Sequence, residues 1–400
     1  MKQTLWIISE LFPPEETSTG YIMGEIANAM TLKYDVKVIC GPTVYDSNKR
    51  CDQNSKQSIS ESIEVLHVDI AAEDRNSKLS RIKKFLLLSW RMYREAKKNI
   101  KNGDRVLMVT NPFPLVVLMG YLRRHRDFSL AMLVHDVAPE NLYTDIEIPE
   151  ILYQIAQHVF NKAYASTDML IPIGRDMREV LVHKIGSVES VKEKWPRIEV
   201  IENWGDVENI WPEDEPFEAE KITIQYAGNI GNAQGVGEFV DVLHEAKCSH
   251  VSFCIWGTGR AELSIMDKVH AYGMVDQVSF RGTFLRSEQQ HVLNNCDLAM
   301  VCLVNGMYGL GVPSKTYNIF AAGKPILYIG ERGTEIWRVI EENGNGICFE
   351  PQDKRGLIEY LNSLSLADRY KLKKMGSISR KLAEGKYSKA IILERFLDVI

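Results

Sequence analysis

The 400-residue sequence predicts an α/β protein of two domains, each a parallel sheet covered by helices. Three observations carry this. The chain is longer than one hydrophobic core usually organises. Short apolar runs alternate with stretches of helical spacing. That alternation breaks near residue 205 and then restarts. Hydrophobic residues at 45% and charged residues at 25% exclude a disordered, collagenous or fibrous chain. Forty-eight Lys and Arg against 53 Asp and Glu leave a net charge of −5, so no global basic field selects nucleic acid. The seven cysteines, Cys40, Cys51, Cys248, Cys254, Cys296, Cys302 and Cys348, are scattered without zinc spacing, and read as reduced thiols of a cytosol-like compartment. The short apolar run before Glu10 reads as a first strand and no signal peptide, and no run of about 18 apolar residues predicts a membrane span.

In chain order, Leu5–Ser9 is the first strand. Pro13, Pro14 and Gly20 then punctuate a loop, and Ile22, Ile26, Ala29 and Met30 recur at helical spacing. Further strands are expected at 36–40, 63–68, 105–109, 130–135 and 169–172. A linker is expected over Trp211–Glu220, where the sequence turns acidic and carries proline. The second domain restarts with strands at 222–227, 251–256, 278–280, 298–303, 325–329 and 346–349, and the chain closes in one or two helices over 377–400. The expected domains are 1–205, 206–376 and the closing stretch 377–400.

Four segments can carry chemistry. The first is Tyr226-Ala-Gly-Asn-Ile-Gly-Asn-Ala-Gln-Gly, a glycine-rich turn between an apolar strand and a helix over Phe239–Ala246. Glycines there let backbone amides approach an anion closely, and a helix start adds a positive dipole end, which suits a phosphate. Gly228, Asn229, Gly231 and Asn232 are the candidate contacts; the plainer reading is a tight βα turn. Neither this loop nor the first βα turn has Gly-x-Gly-x-x-Gly spacing, which disfavours a nicotinamide dehydrogenase. The second segment is Gly309-Leu-Gly-Val-Pro-Ser-Lys-Thr-Tyr-Asn. Pro313 and Ser314 open a helix there, with Lys315 in its first turn, and Gly323 with Pro325 ends it. A first-turn lysine opposes the helix dipole unless an anion sits beside it; the alternative is a solvated surface lysine. The third and fourth segments are strand-end loops, Trp256-Gly-Thr-Gly-Arg260 and Phe280-Arg-Gly-Thr-Phe-Leu285. They fall on the carboxyl edge where open α/β sheets bind ligands. Arg260 can pair with a phosphate, and the backbone around Thr283 can read a base.

Together these segments resemble glycosyltransferase family 4, retaining enzymes of the GT-B fold, and within it the bacterial polysaccharide enzymes of colanic-acid type. The resemblance runs through Leu11-Phe-Pro-Pro-Glu-Glu-Thr-Ser-Thr-Gly-Tyr, Val134-His-Asp-Val-Ala-Pro-Glu, Thr167-Asp-Met-Leu-Ile-Pro-Ile, Ile201-Glu-Asn-Trp-Gly-Asp, the Gly228 loop, Pro313-Ser-Lys and Gly344-Asn-Gly-Ile. It implies two Rossmann-like domains with parallel sheets facing across a cleft, the acceptor in the first and the nucleotide sugar, of UDP type, in the second. It further implies His135 near the donor sugar, the Gly20 loop over the diphosphate, Lys315 on a phosphate, and a closing helix that returns to the first domain. Most members carry two glutamates eight positions apart, where this sequence has Leu310 and Asn318. Asparagine can still bond a ribose hydroxyl; leucine cannot.

The expected reaction moves a sugar from a nucleoside diphosphate to an acceptor hydroxyl with retention. Charge on the leaving diphosphate falls to Lys315, Arg260 and the amides of the Gly228 and Ser314 turns. The absence of an Asp-x-Asp predicts no essential metal. Asp136 and Glu15 are candidates to orient the acceptor, Asp136 equally suiting a turn or capping role. Residues 78–101 carry nine basic residues against one acidic, Glu95, interleaved with Phe85, Leu86, Leu87, Leu88, Trp90, Met92 and Tyr93. That pattern fits a helix on an anionic membrane surface, which would place the enzyme in the cytoplasm at the inner face of the membrane beside a glycan or lipid-linked acceptor. It fits a core-packing helix with a solvated face equally well. Two rivals remain: a non-catalytic glycosyltransferase-like subunit, motivated by the missing glutamates, and a nucleotide-sugar epimerase of the same fold. The latter needs paired carboxylates such as Glu15, Glu16 or Asp136.

Overall fold

The computed structural model describes residues 2–15, 17–42, 57–69, 78–143, 149–188, 195–213 and 220–400. Glu16, residues 214–219 of the expected linker, and the side chains of Lys78 and Arg81 lie outside the described set.

Two compact units form. The first runs through β1 (Thr4–Ser9), α1 (Ser18–Met30), β2 (Asp35–Cys40), β3 (Glu64–His67), α2 (Lys78–Asn99), β4 (Arg105–Val109), α3 (Phe113–His125), β5 (Ser129–Val134), α4 (Glu140–Tyr143), α5 (Glu150–Ala165), β6 (Met169–Pro172), α6 (Arg175–Gly186) and β7 (Arg197–Ile198). Its seven strands lie in the order β3-β2-β1-β4-β5-β6-β7, and the paired strands run parallel. Strands such as Leu5–Ser9 and Val106–Val109 are buried along their length, as a sheet covered on both faces requires. The chain moves one way along the sheet through β1 and β2 and the other way from β3 through β6. Right-handed crossovers therefore put α2, α3 and α5 together on one face and α1 on the other. In that row α3 approaches α5 so closely that a Cβ on Gly120 would stand 2.9 Å from the Ala163 Cα. The Phe85 and Phe113 rings bring α2 to α3, centroids 6.4 Å apart.

The second unit contains β8 (Ile222–Ala227), α7 (Val236–Ala246), β9 (Val251–Trp256), α8 (Glu262–Ala271), β10 (Val278–Gly282), α9 (Gln289–Asn294), β11 (Leu298–Cys302), α10 (Lys315–Ala321), β12 (Ile326–Ile329), α11 (Glu335–Asn343), β13 (Gly346–Phe349), α12 (Lys354–Ser363) and α13 (Arg369–Gly385). Its six parallel strands lie in the order β10-β9-β8-β11-β12-β13. Ile224, Tyr226, Phe239, Phe253, Ile255, Met300 and Leu327 are among the buried residues of its core.

The boundaries differ from the expected ones. The first unit comprises Met1–Glu202, Gly309–Val312 and Leu393–Ile400, and the second Asn203–Tyr308 and Pro313–Ile392. Residues 377–392 of the expected closing stretch thus count with the second unit. Only the last part of α14 (Lys389–Val399) counts with the first. Residues 203–210, ahead of the expected linker, are packed chain, whereas Trp211, Pro212 and Glu213 within it are exposed. Trp204, Asp206 and Ile210 are buried, and the Gly205 amide donates to the Tyr387 carbonyl at 2.9 Å. Among the described residues no helix is long and apolar enough to cross a membrane.

Candidate active site

In the second unit the strand order reverses between β8 and β11, the place where an open parallel sheet leaves a crevice at its carboxyl edge. The Gly228 loop leaves β8 there, and the chain from β11 leads on to α10. Lys315, the first residue of α10, folds its side chain back beneath that loop. Its ammonium lies 3.5 Å from the centroid of the Tyr226 ring. A Cβ on Gly228 would stand 3.2 Å from Nζ, and Gly228 has a φ of +146° that side-chain-bearing residues rarely adopt. Gly228 therefore meets two demands, room for the lysine and an unusual backbone. The Lys315 Nζ is shut off from solvent and has no hydrogen-bond partner among the described residues. Burial pulls its pKa down to about 7, with the neighbouring Cys302 thiol acting weakly the other way. Burial pushes Cys302 itself up to about 12, so no thiolate balances the lysine at neutral pH. The side-chain donors Thr316 Oγ1 and Trp256 Nε1 are likewise buried and without a partner.

The rest of the expected donor-site residues divide. The amides of Gly228 and Gly231 are not free for an anion: they donate to the Trp256 carbonyl at 3.0 Å and to Gln234 Oε1 at 3.0 Å. The Asn229 carbonyl accepts the Tyr226 hydroxyl at 2.5 Å, which fixes the loop to the strand beneath. Asn232 opens a short 3-10 turn, Asn232–Gln234, that separates the loop from α7, so the dipole end of that helix stands further along than expected. Ser314 precedes a helix of only seven residues and makes no side-chain cap, while Thr316 and Tyr317 already donate to the carbonyls of Pro313 and Ser314. The expected amide clamp at this helix start is correspondingly reduced. Arg260 and Thr283 are exposed on the loops after β9 and β10. Asn318 is tied up as a structural bond: its Oδ1 accepts the Asp206 amide at 3.0 Å and its Nδ2 donates to Gln289 at 3.1 Å. These two bonds fix its orientation and leave one lone pair on Oδ1 and one hydrogen on Nδ2.

In the first unit, β5 delivers His135 and Asp136 to the carboxyl edge of the sheet. The His135 Nε2 is buried without a partner among the described residues, and burial holds the imidazole down to about 4, neutral at physiological pH. Burial raises the Asp136 carboxyl to about 6, partly offset by the Asn141 amide that donates to its Oδ1 at 2.8 Å. Thr110 donates to the Asp136 carbonyl at 3.0 Å, and Asp136 bridges to Gly311, where a Cβ would stand 3.2 Å from the carboxylate. Leu310 is buried in the same unit and accepts the Val137 amide at 3.0 Å, so its position acts through backbone. Gly20 is not in a loop. It lies in the first turn of α1, its amide capped by Thr17 Oγ1 at 3.0 Å, and a Cβ there would stand 2.7 Å from the Glu15 carbonyl. Glu15 is half-buried just before that turn, its amide bonded to the Phe12 carbonyl at 3.2 Å.

Sequence reading missed the side chains of Tyr226, Cys302 and Trp256. Tyr226 carried a signal, an aromatic just before the glycine turn; Cys302, at the end of an apolar strand, carried none. Among the described residues no three His, Cys, Asp or Glu side chains converge as a metal-ligand set.

Residues 221–366 match the family of glycosyl transferases group 1. Over its full length the chain is similar to the probable glycosyltransferase WbjE of Pseudomonas aeruginosa, 29% identical over 98% of this chain and 96% of the relative. Among solved structures it is similar to a sucrose-phosphate synthase from Thermosynechococcus elongatus (TM-score 0.73, 14% identity, covering 100% of this chain and 98% of the other). It is also similar to Anabaena HepE in complex with UDP-glucose (TM-score 0.67, 14% identity, 99% and 98%). The two units have the expected Rossmann-like α/β fold of the GT-B class, and the chain is a glycosyltransferase.

Proposed function

We propose that this chain is a retaining, metal-independent hexosyltransferase that moves a sugar from a UDP-type nucleotide sugar to an acceptor hydroxyl during assembly of bacterial polysaccharide or lipopolysaccharide. The observation that carries the reading is the Lys315 ammonium, buried without a counter-ion beside the switch point of the second sheet. An isolated buried ammonium is costly, and the same group becomes favourable when an anion arrives. A diphosphate leaving group supplies that anion, and its charge grows as the glycosidic bond breaks. Lys315 therefore stabilises the transition state more than the bound donor. Arg260, exposed on the neighbouring loop, adds a second positive charge. The neighbour that holds UDP-glucose supports a donor of UDP type.

In the first unit, His135 is neutral and available to bond a sugar hydroxyl, and Asp136 is held by Asn141 as an orienting acceptor for the attacking hydroxyl. Same-face attack leaves the departing phosphate to take the hydroxyl proton. The new bond joins acceptor oxygen to the anomeric carbon, the old bond to the phosphate oxygen breaks, and the products are glycosylated acceptor and nucleoside diphosphate. The acceptor we infer is a glycan or lipid-linked hydroxyl, approached with residues 78–101 toward the inner face of the membrane.

Calorimetry of the protein against UDP, GDP, ADP and their sugars, with magnesium and with chelator, tests this. Saturable UDP binding, unchanged by magnesium and followed by UDP release only when acceptor is added, is the expected result. No binding to any nucleotide would overturn the reading in favour of a non-catalytic subunit, and nucleotide-sugar conversion without acceptor would favour an epimerase.

A further inference from the structure

The row α2, α3, α5 in the first unit covers one face of its sheet, and its outer side is unusual. On α5, Ile151 is 71% exposed, Leu152 54%, Ile155 58% and Val159 39%, an apolar stripe at helical spacing. Its exposed neighbours are Gln154, His158, Lys162 and a single acid, Glu150, which is bonded to Gln154. Helix α2 presents one face to the core and another to solvent. Leu88, Met92 and Ala96 face the core, while Leu86, Leu87 and Trp90 stand out in solvent, Trp90 being 51% exposed. Exposed basic residues continue along α2 through Arg94, Lys97 and Lys98, with Lys101 just past its end, and Arg124 with the half-exposed Tyr121 lies on α3 between the two helices.

Helices in this row run opposite to the strands. The N-terminal halves of α2 and α5, which carry Leu86, Leu87, Ile151, Leu152 and Ile155, therefore lie toward the carboxyl edge of the sheet, where His135 and Asp136 stand, while basic residues run along the whole of α2, Lys83 and Lys84 in its first half and Arg91, Arg94, Lys97 and Lys98 in its second. Scattered exposed apolar residues need no explanation, whereas an apolar stripe along one helix, in a row whose outer helix also exposes aromatic and basic residues, marks an interaction surface.

We propose that the outer face of α2, α3 and α5 docks on an anionic lipid bilayer. The α5 stripe with Leu86, Leu87 and Trp90 enters the headgroup boundary, and the exposed lysines and arginines of α2 pair with lipid phosphates. The charge decides the occupant. The chain as a whole is acidic, with a net charge of −5, yet Lys83, Arg94, Lys97 and Lys98 are exposed on this one helix and Lys101 is exposed just past its end. A second copy of the same basic face would repel it, whereas anionic headgroups neutralise it. Tryptophan beside leucine is the composition that sits well at a headgroup boundary. The proposal extends the membrane reading of residues 78–101 to α5, a helix on which that reading did not draw.

The test is flotation with vesicles of equal phosphatidylglycerol and phosphatidylcholine, and with phosphatidylcholine alone, using wild type and the double variant Ile151→Asp, Ile155→Asp. Both substituted positions are exposed, so melting temperature should stay unchanged and serves as the fold check. Wild type should float with the anionic vesicles and lose that binding in high salt, and the double variant should bind roughly tenfold more weakly. Wild type that stays unbound, or a double variant that floats equally well, overturns the proposal. A concentration-dependent dimer in sedimentation velocity that the two aspartates abolish would assign the stripe to a second copy, and also overturns it. Nucleotide binding is read separately, so a chain that floats but binds no nucleotide would sink the proposed reaction and leave this surface standing.

Discussion

The two units handle their buried polar groups in opposite ways. In the second, an ammonium is sealed beneath a glycine loop with an aromatic face for company and no acceptor among the described residues. In the first, the buried carboxyl of Asp136 is bonded to Asn141 and the imidazole beside it is held neutral. One site is incomplete until an anion arrives; the other already satisfies its charged group and suits neutral hydroxyls. On the function proposed above, the contrast separates binding of a charged donor from positioning of an uncharged acceptor.

The sharpest way to break this comparison is Lys315→Ala. Turnover relative to KM should fall about 10²- to 10³-fold, with UDP affinity at least roughly tenfold weaker, because the substitution removes charge stabilisation of the leaving group. Melting temperature without nucleotide should hold or rise, since an uncompensated buried ammonium has been deleted. The pH dependence follows from the same residue. Its pKa in the fold, about 7, lies below the ordinary lysine value, so the unfolded chain binds more protons between those two values. Lysine 315 therefore costs stability most below pH 7, and the cost fades as pH rises. Nucleotide binding recharges it, so UDP affinity should fall as pH climbs above 7 with proton uptake seen by calorimetry in two buffers, and Lys315→Ala should flatten that dependence.

Asp136→Asn sharpens the other half. Asparagine keeps an acceptor for Asn141 but removes a carboxyl whose pKa the fold raises to about 6. Ionising that carboxyl costs stability, a cost that builds from the ordinary carboxylate range up to about 6 and is complete above it. The variant should then be about 1 kcal/mol more stable in denaturant melts above pH 6. Acceptor turnover should drop about tenfold or more while UDP affinity stays unchanged. A parallel loss of UDP affinity would move Asp136 into the donor site. Smallest of all is Asn318→Ala, which deletes the bonds to the Asp206 amide and Gln289. Stability should fall by about 1 kcal/mol with UDP affinity within about twofold of wild type, and a tenfold affinity loss would restore this residue as a ribose contact.

Most of the fold was legible because buried parallel strands are short continuous apolar runs, and twelve such runs stood clear between helical stretches. The brief strand at Arg197–Ile198 escaped, since two residues make no pattern. The switch-point loops were legible as glycine and proline punctuation. Which of their atoms remain free was not. The Gly228 and Gly231 amides, Gly20 and Asn318 each looked available in sequence and each is engaged by a neighbour that only folding supplies.

The sequence by itself determined two α/β units, the strands of each sheet and the loops that carry polar groups to their carboxyl edges, because hydrophobic periodicity and turn chemistry are local. Tertiary structure alone decided that Lys315 sits on Tyr226 without a counter-ion among the described residues, that Asn318 bonds Asp206, and that Ile151, Leu152 and Ile155 of α5 are exposed. Burial and partnering depend on residues far apart in the chain, and the free energy of a charge is set by what surrounds it in space.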